Sequence, residues 1–197
     1  MFNREIRNRI LFFENEISSG DYLMVVRNNY FWMDPQSGPG FIANGDIIEL
    51  LQIRHTEDHY GFRFADVTVR LPDYPDEPAF DVKILLDVLM ADTPALPDEA
   101  QKKLFASVLE DFNDIPQRAL RFEKVRSSPY YNALQVKFAY ALTCHKTQGG
   151  QWQNVFVDQG YLKEEMIDYE YLRWLYTALT RATNKLYLLG FQDKFFI

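Results

Sequence analysis

Two stretches near the C-terminal end of this 197-residue chain hold side chains suited to work on a phosphate or a nucleic acid. The first, TCHKTQGGQW (143–152), brings together the hydroxyls of Thr143 and Thr147, the His145 ring, the Lys146 ammonium and the Gln148 amide. Gly149-Gly150 follows, and paired glycines let backbone N–H groups come close to a ligand. The second, RWLYTALTRAT (173–183), reads as an amphipathic helix. At the helical advance, Leu172, Leu175, Tyr176 and Leu179 gather on one face, with Arg173, Thr177, Thr180 and Arg181 opposite. A guanidinium on a rigid helix suits phosphoryl transfer, where it stabilises charge on the migrating group. Each stretch also has a plainer reading: a polar turn that uses glycine for its dihedrals, and a solvated helix face. Taken singly, neither decides.

The surrounding elements have to position these groups. ALQVKFAYALT (133–143) and NVFVDQ (154–159) are apolar enough to be buried parallel strands, and KLYLLGF (185–191) reads as a last strand. A helix over 169–182, N-capped by Asp168, lies between them. Ligands of open α/β sheets bind beyond the carboxyl ends of the strands, which is where 143–152 falls. Phe138, Leu142, Val155, Val157 and Leu186 are the expected interior of this parallel layer.

The upstream part has a different rhythm. Residues 3–18 predict a helix, with Asn3 as N-cap, Ile6, Ile10, Phe13 and Ile17 on one stripe, and Ser18-Ser19-Gly20 as its end. YLMVV (22–26) reads as a strand, and Asn44-Gly45-Asp46 as a tight turn before IIELLQI (47–53). A polar turn around Thr56–Gly61 leads into FRFADVTVRL (62–71), whose apolar phase slips near Ala65-Asp66 as a bulge would require. With FDVKI (80–84), these short strands predict a small antiparallel barrel. Residues 97–113 predict a helix that starts near Pro97 and packs through Leu104, Phe105, Val108, Leu109 and Phe112.

Composition excludes several classes. The balance of 47% hydrophobic and 25% charged residues is that of a folded domain rather than a disordered chain. No apolar run is long enough for a membrane span, and the first residues lack the pattern of a secretory signal. A single cysteine, Cys144, excludes an internal disulfide and fits a reducing, cytoplasmic setting. The net charge of −7 is uneven, acidic over 73–111 and basic over 118–146, so charge neither supports nor excludes a DNA partner. His55 and His59 sit in a turn without metal-ligand company and read as surface residues; no metal site is expected. No cluster of acids with a lysine supports a nuclease.

Together and in this order, the two C-terminal stretches resemble motifs V and VI of superfamily-one DNA helicases, in the form found in the RecD/UvrD-like branch. TCHKTQGGQW resembles the T-x-H-K-x-Q-G motif, and LYTALTRAT the Y-T-A-x-T-R-A helix. Upstream, Asn3 with Ile6-Arg7 is similar to the N-x-x-I-R helix of that branch. GDYLMVVRNNY (20–30) and IANGDIIEL (42–50) are similar to the strands that open its Src-homology-like barrel. Residues 72–130 resemble nothing identified.

The resemblance implies a partial RecA-like second motor domain of α/β class, as in exodeoxyribonuclease V alpha subunits, with a small antiparallel β-barrel inserted. Residues 1–19 would belong to the RecA-like domain, 20–130 to the barrel with its extra helix, and 131–197 to the RecA-like domain again. Arg181 takes the role of arginine finger. Thr143, His145 and Lys146 fall on the DNA side, and Gln148, Gly149 and Gln151 near the nucleotide, although Gln151 stands where many relatives carry glutamate. Neither the phosphate-cradling G-x-x-x-x-G-K-[S/T] loop nor its acid partner motif occurs. The chain is therefore expected to be a fragment without ATP turnover of its own. ATP and Mg2+ would serve the parent protein and not bind this chain tightly. Implied partners are single-stranded DNA, the first motor domain, and nuclease or repair and recombination subunits, with no membrane. The alternative is a non-catalytic nucleic-acid-binding or adaptor module.

Overall fold

The computed structural model describes residues 2–196. The chain forms two compact units, the first ending at Ala141 and the second beginning at Leu142.

The first unit is a closed five-stranded barrel with helices added to its outside. Its strands are β1 (Tyr22–Val25), β2 (Ile47–His59), β3 (Phe62–Arg70), β4 (Phe80–Leu85) and β5 (Leu134–Phe138). β1 to β4 pair antiparallel in sequence order. Alternation sends Leu23, Val25, Ile48, Leu50, Val67 and Val69 inward, all essentially inaccessible to water. The β2–β3 hairpin closes on two residues, Tyr60 and Gly61, at φ of 54° and 73°. The expected turn over Thr56–Gly61 is therefore only its last two residues, and β2 continues through His59.

Two expectations need correction here. ALQVKFAYALT does not open a parallel layer; β5 closes the barrel, antiparallel to β1 and parallel to β4. A parallel neighbour needs a long crossover, and residues 86–133 supply it with α2 (Asp98–Glu110) and α3 (Arg118–Arg126). Phe138 thus lies in the barrel core. The bulges, too, lie on β2 rather than at Ala65-Asp66, with register shifts between Leu50 and Gln52 and between Ile53 and His55. The phase slip in β3 has another cause. Phe62 and Phe64 face outward into a second core with Leu104, Val108 and Val125 of the helices, while Ala65, Val67 and Val69 face the barrel interior.

The predicted helix over 3–18 is also shorter. It comprises α1 (Phe2–Glu5) and one π-turn, Ile6–Ile10, and Phe12 at φ 56° ends it. Ile10 is exposed and Ile17 joins the barrel core, so the apolar stripe is no single face. What fixes this segment is polar. Arg7 Nε and Nη2 donate to Asp21 Oδ1 and Oδ2 at 2.7 and 2.8 Å, and its guanidinium lies 4.2 Å from the Phe138 ring centre. Asp21, wholly buried, also accepts from Ser18 N and Tyr140 Oη, both at 2.7 Å. Burial and then the Asp21 bond hold the Tyr140 hydroxyl protonated far above its usual range. Asn3 is no N-cap: its side chain pairs with the backbone of Ala141 in both directions, at 3.0 and 2.7 Å.

The second unit is small. β6 (Trp152–Asp158) and β7 (Ala182–Leu189) form a parallel pair, joined through α4 (Tyr169–Leu179). Asp168 caps α4 as its sequence suggests, accepting from Tyr171 N at 2.8 Å. No described helix is long and apolar enough to cross a membrane.

Candidate functional site

The 143–152 loop and the C-terminal end of α4 meet at Arg181. Beyond Thr143 the chain makes one turn of 3-10 helix, Cys144–Thr147, closed by Lys146 N donating to Thr143 O at 2.9 Å. Thr147 Oγ1 donates back to Cys144 O at 2.7 Å, and Gly150 N to Thr147 O at 3.1 Å. The two glycines serve different ends. Gly149 adopts φ +87° in open space, so its backbone conformation calls for glycine. A Cβ on Gly150 would meet the Trp152 indole at 2.4 Å, so close packing of that ring calls for glycine there.

Arg181 lies two residues past the end of α4, where the last carbonyls of a helix lack partners and carry partial negative charge. Its Nε donates to Thr177 O at 2.9 Å and its Nη2 to Thr180 Oγ1 at 3.0 Å. From there Nη1 reaches the loop, donating to Gly150 O at 3.0 Å and, more weakly, to Thr147 O at 3.4 Å. Its own carbonyl accepts from Trp152 N at 2.9 Å. Arg181 therefore ties loop, helix end and sheet together, half-buried. The sequence suggests a side chain free on an open helix face; instead, every guanidinium nitrogen has an acceptor. Cys144 belongs to the same joint, with Sγ 3.5 Å from Trp174 O. Burial pushes its thiol up, against the opposing pull of the Arg181 cation.

The helix face differs from expectation as well. Tyr171 and Ala178 are its buried residues, while Leu172 and Tyr176 of the expected packing stripe are 55% and 72% exposed. The hydroxyls of Thr177 and Thr180 bond to backbone carbonyls one turn earlier and do not project to a ligand. Arg173 is exposed and pairs with Glu170. In the parallel layer, Val157 is buried and Val155 half-buried, Leu142 is half-buried, and Leu186 is exposed.

The remaining site residues sit on the rim. Thr143, His145 and Lys146 are exposed on one limb of the loop, and Gln148, Gly149 and Gln151 on the other. A cleft of about 450 Å³ opens beside the loop, lined by His145, Gln148, Tyr161, Tyr171 and Trp174 among others. Gln159, which sequence reasoning missed, is on its wall with Oε1 buried and without a hydrogen-bond partner among the described residues. Its one signal was its place at the carboxyl end of a parallel strand.

Residues 138–189 match the family model of the UvrD-like helicase C-terminal domain. The matched segment, similar to a UvrD-like helicase C-terminal domain, begins at the last residue of β5 and ends at the last residue of β7. Both chemistry-bearing stretches and the Arg181 joint lie inside the UvrD-like segment. No curated protein matches the chain.

Proposed function

We propose that this chain is the arginine-bearing part of an ATP-driven DNA translocase: a RecD-like second motor segment with a barrel inserted, without the phosphate-binding loop. The observation that carries this reading is the Arg181 joint within the UvrD-like segment. Arg181 acts as the arginine finger. To reach a γ-phosphate its guanidinium would exchange the carbonyls of Thr147 and Gly150 for phosphate oxygens, which are stronger acceptors. That exchange would release the loop bearing Thr143, His145 and Lys146, the proposed contacts to single-stranded DNA. Finger and DNA contact would then move together. Gln148, Gly149 and Gln151, exposed on the opposite limb, are the proposed nucleotide-side residues. ATP and Mg2+ would be held by a first motor domain bearing the P-loop.

The adaptor reading draws on the same bonds, since an arginine satisfied internally is a good structural staple. Kinetics separate the two. In the polypeptide that joins this segment to its P-loop domain, Arg181→Ala should lower the DNA-stimulated kcat by about 10³ or more, with a small change in KM for ATP. Arg181→Lys should restore little, because an ammonium lacks the planar fork. Normal turnover by the alanine variant would leave Arg181 as a staple and the adaptor reading in force.

A further inference from the structure

The cleft of about 450 Å³ lies wholly within the second unit, and its walls are largely apolar. Tyr171 and Trp174 of α4 form one side, and Tyr161, Leu162 and Met166, from the segment after β6, form another. The rings of Tyr171 and Trp174 are nearly parallel, 5.7 Å apart at 25°. Tyr171 is buried and Trp174 half-buried, so packing holds that wall in place. On the rim, Tyr161 is 80% exposed and Met166 48%. A thioether among rings suits a surface that closes around an apolar guest.

One polar atom on these walls lacks its counterpart. Gln159 follows β6 directly; its backbone N–H donates to Leu189 O at 3.0 Å, and its Nε2 donates to Tyr171 Oη. These bonds fix the side chain and leave Oε1 buried without a donor among the described residues. A buried acceptor left unpaired is costly and uncommon, and a bound molecule is one way to satisfy it. Other polar groups of the lining are already engaged. Glu170 accepts from Arg173 Nη1 at 3.1 Å, Thr177 Oγ1 donates to Arg173 O at 2.9 Å, and Cys144 Sγ donates to Trp174 O at 3.5 Å.

The matching guest is a flat apolar body with one donor on its edge. An indole has that composition, because its ring N–H donates and the ring carries no acceptor. A phenylalanine ring would leave Gln159 Oε1 unpaired. Lysine or arginine would bring several donors and a charge to a lining whose one carboxylate, Glu170, is paired. A free indole would leave the Tyr161 and Met166 rim in water, whereas a polypeptide carrying the ring would cover it. We infer that this cleft is an anchor pocket for a tryptophan side chain of a partner polypeptide, with its Nε1–H donating to Gln159 Oε1 and its ring against Tyr171 and Trp174. Tryptophans seated in desolvated pockets are frequent hot spots of interfaces. The inference concerns the second unit alone and stands apart from the role of Arg181.

The test is an NMR titration of the isotope-labelled full chain with the neutral peptide N-acetyl-Gly-Trp-Gly-amide, followed through the Trp174 indole and Gln159 amide signals. Saturable shifts of both are expected. The same peptide made with 1-methyltryptophan keeps the ring and lacks the donor, and should bind about tenfold more weakly, as for one hydrogen bond lost. Gln159→Met removes the acceptor at similar side-chain length and should bind the two peptides alike. A merely structural role for Gln159 would weaken both and preserve the tenfold ratio. If Gln159→Met fails to fold, the two peptides on the parent chain still decide. Absence of saturable shifts, or equal binding of the two peptides by the parent chain, overturns the inference. So does binding of N-acetyl-Gly-Phe-Gly-amide or its arginine counterpart as tight as that of the tryptophan peptide. Tighter binding of free indole than of the peptide would make the guest a small molecule and overturn the partner. None of these outcomes touches the motor reading, which is tested by turnover of the Arg181 variants.

Discussion

The two units solve the problem of burying apolar surface to different degrees. In the barrel unit, closure removes sheet edges, and the added helices cover the outward-facing Phe62 and Phe64, so that side chains as large as Phe64, Leu23 and Ile48 are fully buried. In the second unit, one helix and two strands bury only Val157, Tyr171 and Ala178 among their apolar side chains. Phe156 and Tyr187 stack on each other at 4.5 Å, yet are 65% and 41% exposed. The first unit holds itself together by its core. The second is organised by local hydrogen bonds around Arg181, and the proposed chemistry lies there. Rigid scaffold and functional loop have been divided between two parts of one short chain.

The sharpest way to break this contrast is at the buried ion pair of the barrel unit. Asp21→Ala would strand Arg7 in an apolar setting beside Phe138 and leave Ser18 N and Tyr140 Oη without their acceptor. Removing one member of a buried pair costs about 3–5 kcal/mol. Differential scanning calorimetry should show the barrel transition shifted far down and the second unit's transition unmoved. A common shift of both would mean that the units unfold as one and that the division is not thermodynamic.

A smaller effect is expected at the loop of the second unit. Gly150→Ala drives a methyl group into the Trp152 indole and should cost about 1–3 kcal/mol, as overpacking does. Gly149→Ala meets no neighbour and pays only for a left-handed backbone, about 1–2 kcal/mol. Trp152→Ala combined with Gly150→Ala should recover most of the first loss, while combined with Gly149→Ala it should recover none. A double-mutant cycle on thermal melts reads this directly.

Much of this was legible in sequence. Apolar runs, a turn signal and alternation mark β1 to β4, Asp168 marks its helix start, and the two C-terminal stretches locate the loop and helix that the UvrD-like match covers. The sequence of β5 reads equally well as a strand of a parallel layer, because a short apolar run looks the same there as in a barrel. The acceptors of Arg181 were invisible for a simpler reason. They are backbone carbonyls of Thr147, Gly150 and Thr177, which every residue type possesses. The truncated first helix depends on Arg7 finding Asp21, a pairing that no local pattern encodes.

The barrel unit should also respond to acid through Glu57. The bond from Lys83, at 2.8 Å, is the main cause of a carboxyl held below the ordinary glutamate value of 4.5; burial opposes it, and the Tyr130 hydroxyl at 2.9 Å adds to it. A depressed pKa in the folded state contributes stability that is present above about pH 4.5 and disappears as pH falls through the folded value. The barrel melting temperature should therefore fall on going below pH 4.5. Glu57→Gln should flatten that fall and lower stability at neutral pH, where Lys83 retains only Asp66 at 2.7 Å. An unchanged acid slope in the glutamine variant would mean that other carboxylates carry it.

The smallest effect on stability is expected where the contrast between the units is greatest. Phe156, Tyr176 and Leu172 are large and apolar, and in a core each would be worth several kcal/mol on truncation. At 65%, 72% and 55% exposure, they make few of the contacts that such a loss reflects. Phe156→Ser and Tyr176→Ser should therefore change the unfolding free energy by less than about 0.5 kcal/mol, as surface substitutions do. The same exposure predicts a second readout with the opposite outcome. Accessible apolar rings bind the dye 8-anilinonaphthalene-1-sulfonate, so the chain should enhance its fluorescence while fully folded, and the double variant should lose much of that signal. Truncation of a barrel residue, Leu50→Ala, should do the reverse, costing about 2–5 kcal/mol with no loss of dye binding by the folded protein. If Phe156→Ser and Tyr176→Ser instead destabilised the second unit by as much as Leu50→Ala destabilises the first, those rings would be buried in solution. The two units would then be equally well packed, and the contrast drawn between them would fail.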